Sequence, residues 1–422
     1  MAQPSMRKSF SAGILFSLLA APLLATAHDN RDDDWRGDDH HKIQHVFVIT
    51  LENKGYDETF GAISKAAYLS KTLPSMGVLL TQYYGTTHVS LGNYIAMISG
   101  QASNPDTQLD CQTYKDFALT GMTADGQAIG SGCVYPASIK TFPDQLKAVG
   151  KTWRAYNEDM GNDPAREAPT CGHPQLNTVD FTQSAEAPSA TVPLGDQYAA
   201  RHNPFVYFHS IIDTPDCDAN VVSLNQLKKD LKSESATPNF VFITPNLCND
   251  GHDGPCKNGQ PGGLVSADQF LQQWVPQILA SAAYKKDGLL IINFDEGELS
   301  ITQDPATKAI SLTAAGEACC SEQAGPNVKY PSVTNLGPYK LAFNGLGGDR
   351  TGAVLISPFI KPGKVSNIPF NHYSLLKTLE DIFEVDGYLG YAGQPGLAGF
   401  FGCVSSDIEI KTSHQFVRCE KN

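Results

Sequence analysis

The 422-residue sequence is short of positive charge and of charged residues in general. Lys and Arg number 31 against 44 Asp and Glu, the formal net charge is −13, and charged residues make up only 18% of the chain. General nucleic-acid binding needs a basic surface, so this balance argues against a nucleic-acid partner. Hydrophobic residues are 41% of the chain, which is ample for a large core and excludes a disordered protein.

Several catalytic motifs are also missing. The sequence has no G-x-S-x-G nucleophile elbow, since His88 stands two places before Ser90 where that motif needs a glycine. Residues 150–152 (GKT) look like the end of a phosphate-binding P-loop, but Gln145 occupies the place of its first glycine. No H-E-x-x-H motif is present. The sequence thus lacks the signatures of α/β-hydrolases, P-loop proteins and zincin proteases.

The one long apolar stretch lies at the N-terminus. Arg7 and Lys8 precede a mostly apolar run over residues 10–24, and residues 25–27 (ATA) suit a signal-peptidase cleavage site. A membrane anchor is the less favoured alternative, because a membrane-spanning helix needs about 20 apolar residues. We therefore expect a signal peptide over residues 1–27, a disordered acidic tether over 28–42, and an exported protein, periplasmic or secreted, with no stable membrane anchor.

The cysteines support export. There are 10, an even number with no C-x-x-C pair, and in an oxidising compartment they are expected to form disulfides. The adjacent Cys319 and Cys320 leave the connectivity open. The simplest pairings join cysteines that are close in sequence: Cys111–Cys133, Cys248–Cys256 and Cys403–Cys419.

Short apolar runs alternate with stretches of helical spacing. The runs are rich in β-branched residues, as in strands buried on both faces, and occupy residues 46–51, 239–244, 288–294 and 353–357. Helices are expected over residues 91–98, 267–286 and 373–383. This alternation predicts an α/β fold, a three-layer sandwich around a mostly parallel β-sheet. We expect a single domain over residues 43–422, with a loop-rich insertion around 300–350.

Polar residues follow the predicted strands at the point where each strand ends. In open parallel sheets, ligands bind outside the carboxyl ends of the strands, so these residues are the candidates for a site. Each also has an ordinary interpretation: Glu52 as a solvated loop acid, His252 as a loop contact and Ser90 as a plain helix N-cap. The candidates are Glu52, Asn53, His252, Asp295, Glu296, His372 and Ser90.

Taken together, the candidates favour one chemistry. Carboxylate oxygens with a few imidazoles suit a divalent cation, whose identity and number the pattern leaves open. A hydroxyl beside such a cation can become a nucleophile, and a helix N-terminus attracts phosphate. Ser90 precedes a predicted helix, so the combination points to hydrolysis of a phosphate ester.

Six segments form a set along the chain: VFVITLENKGYDETFG (46–61), YYGTTHVSLGNYIAMISGQ (83–101), residues 246–253, NFDEG (293–297), GAVLISPFIKPGKV (352–365) and NHYSLLKTLEDIF (371–383). In sequence and in order, this set resembles the phosphoesterase family of bacterial phospholipases C and secreted acid phosphatases. The segment over residues 83–101 is similar to the acid phosphatase branch, where H-P-S-L-P-N-Y is usual.

The resemblance implies an alkaline-phosphatase-like fold and a phosphoserine intermediate on Ser90, with Thr87 as the second choice of nucleophile. It also implies that His252 is catalytic and that Asn93 and His372 contact the substrate. The implied metal ligands are Glu52, Asn53, Asp295 and Glu296.

Two residues depart from the family pattern. Val89 and Gly92 stand where proline is usual, and both changes are expected to loosen the backbone around Ser90. The favoured function is a broad-specificity acid phosphatase that acts on phosphate monoesters. A phospholipase C-type phosphodiesterase and a non-catalytic phosphate- or metal-binding exoprotein are the alternatives, and the oligomeric state stays open.

Overall fold

A computed structural model of the chain describes residues 43–336 and 339–401. The expected signal peptide, the acidic tether and the pair Cys403–Cys419 lie outside these residues. The described strands are β1 (His45–Leu51), β2 (Val78–Leu80), β3 (Tyr83–Tyr84), β4 (Thr113–Tyr114), β5 (Ala118–Met122), β6 (Ala128–Ser131), β7 (Trp153–Asn157), β8 (Thr178–Val179), β9 (Val221–Ser223), β10 (Phe240–Thr244), β11 (Gly288–Phe294), β12 (Ser300–Gln303), β13 (Ile310–Ala314), β14 (Ser332–Leu336), β15 (Tyr339–Phe343), β16 (Ala353–Ile356), β17 (Lys364–Ser366) and β18 (Phe370–Asn371). The described α-helices are α1 (Tyr56–Phe60), α2 (Leu73–Met76), α3 (Ser90–Ser99), α4 (Phe142–Ala148), α5 (His209–Ile212), α6 (Pro215–Asn220), α7 (Leu227–Asp230), α8 (Gly263–Ala280), α9 (Ala282–Asp287) and α10 (His372–Phe383).

Eight strands form the central sheet, in the order β17-β2-β16-β11-β1-β10-β7-β9. β1 pairs in parallel with both β10 and β11, and β7 and β9 continue the parallel set. Only β16 runs against its two neighbours in this sheet. The predicted mostly parallel α/β sheet is confirmed, and the fourth predicted strand is the antiparallel member.

Both faces of the sheet are covered, because successive side chains of a buried strand point to opposite sides. Val46 and Val48 of β1 pack with α3, α4 and α10 on one face, whereas Phe47 and Ile49 pack with α8 on the other. The result is the three-layer sandwich that the sequence predicts. The helical stretch expected over residues 267–286 is divided at Ser281 into α8 and α9.

The segment around residues 300–350 contains a second sheet. Its four strands lie in the order β12-β13-β15-β14, and a small apolar cluster that includes Leu341 and Phe343 packs there. The sequence shows no clear period here because most side chains of β12 and β13 are at least partly exposed. The same segment returns to the central sheet through β16.

Eight cysteines of the described residues form four disulfides. The predicted pairs Cys111–Cys133 and Cys248–Cys256 are confirmed. Cys171–Cys217 joins residues 46 positions apart, and the adjacent Cys319 and Cys320 pair with each other. Such cross-linking is typical of proteins from oxidising compartments. In the part of the chain that the structure describes, no helix is both long and apolar enough to cross a membrane.

Candidate active site

Glu52 lies at the carboxyl end of β1 and is the centre of the candidate site. Its side chain is buried, and its Oε2 accepts a hydrogen bond of 2.8 Å from the Ser90 hydroxyl. Its Oε1 accepts a hydrogen bond from the hydroxyl of Tyr94, one turn further along α3. The backbone N–H of Glu52 donates to the carbonyl of Asp250 at 2.8 Å. Glu52 thus connects the sheet, the first turn of α3 and the loop after β10.

Asp295 and Glu296 follow β11, the strand beside β1. Because β1 and β11 are parallel, with Leu51 opposite Phe294, the residues after both strands leave the sheet at the same edge. The Asn53 backbone N–H donates to Asp295 Oδ1 at 3.0 Å, and its side-chain amide donates to Glu296 Oε1 at 3.3 Å. The four predicted metal ligands therefore lie together at this edge.

Ser90 is the first residue of α3, as expected, but it is not the N-cap. Val89 occupies that position, and the Ser90 hydroxyl bonds to Glu52 rather than to the helix backbone. Val89 has a φ of 77°, a left-handed conformation that costs a β-branched residue about 1–3 kcal/mol. Its backbone N–H donates to Glu296 Oε1 at 2.9 Å, which holds it there.

The loop before Ser90 is tightly held, contrary to the expectation from its missing prolines. Asn93 Oδ1 accepts the backbone N–H groups of Thr86 and Thr87 at 2.8 and 3.0 Å, and its amide donates to the Thr87 carbonyl at 2.9 Å. Gly92 allows this packing, because a Cβ there would lie 2.0 Å from Ser103 Oγ and 2.7 Å from Thr87 Cγ2. Close packing and a side-chain clamp replace the stiffness of proline.

His88 fastens the same loop on its other side. Its Nδ1 contacts Glu296 Oε2, and its Nε2 lies 3.0 Å from Asp349 Oδ2. Burial alone would lower the pKa of His88, but Glu296 and Asp349 raise it to about 10. His88 is therefore a buried cation between two acids. The sequence placed His88 only within the H-P-S-like motif, since Asp349 is distant in the chain.

His202 enters the site from a 3₁₀ turn, Ala200–His202, that sequence reasoning missed. Its ring stacks on Tyr94 with centroids 5.3 Å apart, and its Nε2 lies 3.4 Å from Glu52 Oε2. Neither ring nitrogen has a hydrogen-bond partner, although the residue is 2% exposed. Burial lowers the pKa of His202 well below its usual range, and Arg201 adds to that effect. A neutral, unpartnered imidazole therefore faces the oxygen that holds Ser90.

The two predicted histidines occupy different environments. His372 is fully buried at the start of α10, with Nε2 2.6 Å from the Asp295 carbonyl and Nδ1 2.8 Å from the Tyr83 hydroxyl. Burial lowers its pKa to about 4, so it is neutral. His252 lies on the loop after Asp250, with a side chain 44% exposed and Nδ1 3.9 Å from Asp253 Oδ1. His372 supports the backbone of the site, and His252 lies at its rim.

The carboxylates of the site repel one another. Burial raises the pKa of Glu52 well above its usual range, and Asp295 and Asp250 raise it further. Burial and the charge of Glu296 do the same to Asp295, whereas hydrogen bonds from the backbone N–H groups of Asn53 and Glu296 lower its pKa. Uncompensated negative charge in a buried site is costly, so a cation would stabilise this arrangement.

The oxygens at this edge fit a hard divalent cation. Asn53 Oδ1, Asp250 Oδ2 and Asp295 Oδ2 are buried and have no hydrogen-bond partner. Carboxylate and amide oxygens are the ligands that Mg²⁺ and Ca²⁺ prefer. In the described ranges, no three His, Cys, Asp or Glu side chains form a ready metal-binding group. The argument for a cation therefore rests on these unpartnered oxygens and on the repulsion between the buried carboxylates.

A model of the Phosphoesterase family matches residues 64–386, which is most of the chain. Two similar relatives are acid phosphatases. The probable acid phosphatase of Kluyveromyces lactis is 27% identical over 274 residues, which cover 65% of this chain and 52% of that protein. The phosphate-repressible acid phosphatase of Penicillium chrysogenum is 27% identical over 230 residues, 54% of this chain and 43% of that protein. The matches thus span about half the length of these relatives.

A solved structure was also found to be similar. It is a protein in the alkaline phosphatase superfamily from Vibrio parahaemolyticus, 12% identical, with a TM-score of 0.43. The match covers 83% of this chain and 68% of that one.

Proposed function

The chain belongs to the Phosphoesterase family, and we propose that it is an acid phosphatase that hydrolyses phosphate monoesters through a phosphoserine on Ser90. The observation that carries the proposal is the hydrogen bond from Ser90 Oγ to Glu52 Oε2 at the first residue of α3. A helix N-terminus favours an arriving phosphate, and the buried carboxylate places the hydroxyl for attack. The identity of the family, expected from the motifs, is confirmed by the family match.

The first step is attack by Ser90 Oγ on phosphorus. The Ser90 proton passes to Glu52 Oε2 as the new P–O bond forms, and the bond from phosphorus to the leaving oxygen breaks. His252, at the rim, donates a proton to that leaving oxygen. Water then attacks the phosphoserine and passes a proton to His252, the bond from phosphorus to Ser90 Oγ breaks, and Glu52 returns its proton to Oγ, which restores the Ser90 hydroxyl and releases inorganic phosphate.

Glu52, Asn53 and Asp295 would hold the divalent cation together with the unpartnered Asp250 Oδ2. Glu296, also expected as a ligand, has both oxygens occupied, Oε1 by Asn53 and Val89 and Oε2 by His88. When bound, such a cation neutralises phosphate charge and favours ionisation of a nearby hydroxyl. Asn93 and His372 then act mainly as positioning residues, since Asn93 clamps the loop before Ser90 and His372 supports Asp295. Thr87 is the less favoured nucleophile, because its hydroxyl donates to the His88 carbonyl at 3.1 Å.

Export belongs to the same proposal. The N-terminal pattern and the four disulfides of the described residues are the features that support it. N-terminal sequencing of the exported protein should find His28 first, and retention of Met1 would contradict cleavage after Ala27.

A substrate panel tests the proposal. p-Nitrophenyl phosphate, bis-p-nitrophenyl phosphate and phosphatidylcholine are offered to the purified chain, with and without a chelator. We expect turnover of the monoester alone, lost on chelation and restored by a divalent cation. Preferred cleavage of phosphatidylcholine would favour the phospholipase C alternative. Hydrolysis of none of the three at any metal supplement would favour the non-catalytic alternative.

A further inference from the structure

A cavity of about 300 Å³ opens beside the candidate site, and no step of the proposed reaction uses its side chains. It lies between the 3₁₀ turn that carries His202 and the loop that carries Asp250. We call it the Arg201 cavity, and the polar side chains that matter here are Gln183, Gln197, Arg201, Asp253 and Lys257.

Both walls of the Arg201 cavity are fixed to the active site. Arg201 directly precedes His202, whose Nε2 lies 3.4 Å from Glu52 Oε2. The opposite wall, residues 253–257, follows Asp250, whose carbonyl accepts the Glu52 backbone N–H. These two contacts place the walls of the cavity next to residues that contact Glu52, and we expect the rest of a phosphate ester attacked by Ser90 to extend toward it.

Arg201 is a largely buried cation at this cavity. Its side chain is 12% exposed, its Nη1 donates to the Gln183 carbonyl at 3.0 Å, and its Nε lies 3.5 Å from Asp110 Oδ2. Lys257 lies exposed at the same cavity, where Asp253 is the acidic member. Two cations and one acid line the cavity, but Asp110 also lies against Arg201, so the exposed Lys257 is the cation more available to an anion.

Gln197 gives an independent sign of a ligand. The residue is 2% exposed, and its Oε1 is buried without a hydrogen-bond partner. A buried carbonyl oxygen left unpaired destabilises the folded protein, so it calls for a donor such as a hydroxyl group. Gln197 lines the cavity, which thus combines donors suited to an anion with an amide whose oxygen still lacks a donor.

We propose that the Arg201 cavity binds the leaving group of the substrate and selects sugar or polyol phosphates that carry a second phosphate. This inference rests on the proposed phosphatase function. A guanidinium recognises phosphate through paired N–H groups, and an ammonium adds a point charge. The Gln197 amide oxygen takes a sugar hydroxyl, which supplies its missing partner.

The kinetic test compares fructose 1,6-bisphosphate with fructose 6-phosphate. The wild-type protein should have a kcat/KM about tenfold higher for the bisphosphate, the size of effect that one charge-assisted contact gives. Lys257→Glu should abolish most of that preference. Lys285→Glu is the control, because it makes the same charge change on α9. This helix directly precedes β11 and therefore lies at the opposite edge of the sheet. The control variant should keep the preference for the bisphosphate.

Equal loss in Lys257→Glu and Lys285→Glu, or a wild-type preference no greater than twofold, would overturn the proposal. Arg201→Lys keeps the charge but loses the paired N–H groups, so a reduced preference in a folded variant would support the role of the guanidinium. Circular dichroism checks that this variant folds.

A binding test separates this inference from the proposed reaction. Calorimetry on the Ser90→Ala protein measures the affinity for both sugar phosphates without turnover. The cavity is supported if the Ser90→Ala protein binds the bisphosphate more tightly than the monophosphate and if adding Lys257→Glu removes this difference. That result would support the cavity even if the wild type hydrolysed neither ester. If both esters are hydrolysed but all variants bind the two sugar phosphates with equal affinity, the proposed role of the cavity is wrong and the proposed phosphatase function is unaffected.

Discussion

The two ends of the same strands are built differently. At the start of β1, His45 Nδ1 lies 2.5 Å from Asp287 Oδ1, just before β11, and the Gln44 backbone N–H donates to the Asp287 carbonyl at 3.1 Å. At the other end, Glu52 and Asp295 are buried side by side, and both have raised pKa values. One edge pairs an acid with a base, and the other gathers acids.

This difference separates stability from function within one sheet. A buried acid and base that bond to each other satisfy their polar groups, whereas crowded carboxylates with unpartnered oxygens raise the energy of the folded chain. An arrangement that costs stability suits a ligand that offsets the cost. The edge at the carboxyl ends of the strands is therefore suited to binding a ligand, whereas the contacts at the opposite edge stabilise the fold.

The largest contrast should come from removing one charge at each edge. Glu52→Gln keeps the shape of the side chain but removes the proton acceptor and a metal ligand, so kcat/KM should fall about 10²–10⁴-fold. Asp287→Asn should leave activity within about twofold and lower the free energy of unfolding by about 1–3 kcal/mol. Activity assays and urea unfolding check both variants.

The stability of Glu52→Gln should move in the opposite direction. The folded state raises the Glu52 pKa, so the folded protein holds that proton more tightly than the unfolded chain does. Stability is then lost as pH rises above the ordinary Glu pKa of about 4.3, and the advantage of Glu52→Gln should grow with pH in chelator. A destabilised Glu52→Gln protein in chelator would contradict the contrast between the edges.

A smaller effect is expected when the loop before Ser90 is overpacked. Gly92→Ala places a methyl group against Ser103 and Thr87, which should cost about 1–3 kcal/mol of stability and about tenfold in kcat. Gly121→Ala is the matched control, since the nearest atom to its new Cβ would be 3.9 Å away, and it should change neither quantity. Equal kcat in both variants would show that the packing of this loop does not position Ser90.

His252 at the rim should show a selective effect. Partial burial lowers its pKa, Asp253 opposes that effect, and the charges of Lys54 and Arg201 add to it, so His252 releases a proton more readily than an ordinary histidine. His252→Asn should reduce turnover of alkyl phosphates about 10²-fold but that of p-nitrophenyl phosphate only a few-fold, because p-nitrophenolate leaves without a proton. Equal losses on both substrates would instead indicate a contact to phosphate or metal.

The smallest effect concerns a buried acid that belongs to neither edge. Burial raises the pKa of Glu380, in α10, to about 8, and its Oε2 has no hydrogen-bond partner. The stability that protonated Glu380 contributes is lost as pH rises through 8, so Glu380→Gln should raise Tm by about 2–4 °C at pH 9 and hardly at pH 5. Calorimetry at both pH values checks this, and unchanged activity would show that a raised pKa alone does not mark the site.

The sequence predicts the sheet and its polar edge well, and for a physical reason. Parallel strands end at one edge, so Glu52 and Asp295, 243 positions apart, can be placed together once both strands are recognised. The helix that begins at Ser90 was predicted for a similar reason, from its apolar spacing. Apolar spacing along the chain, together with the rule that parallel strands end at the same edge, is enough to predict this part of the fold.

Other features depend on contacts that no local pattern encodes. His202 reaches Glu52 from a short turn within a long irregular region, and Cys171–Cys217 closes a loop of 46 positions. The positive φ of Val89 depends on the Glu296 carboxylate, 207 residues away. The only sequence feature near His202 is the run Arg–His–Asn–Pro at residues 201–204. Its composition is that of an ordinary loop, so it does not mark His202 as part of the site.

Identification of the phosphorylated residue tests the central claim most directly. The protein is mixed with p-nitrophenyl phosphate and a divalent cation, quenched in acid during turnover and digested, and its peptides are examined by mass spectrometry. We predict phosphate on Ser90, absent in Ser90→Ala, whose activity should be lower by orders of magnitude although its fold is intact. Phosphate on Thr87, or full activity in Ser90→Ala, would contradict the account.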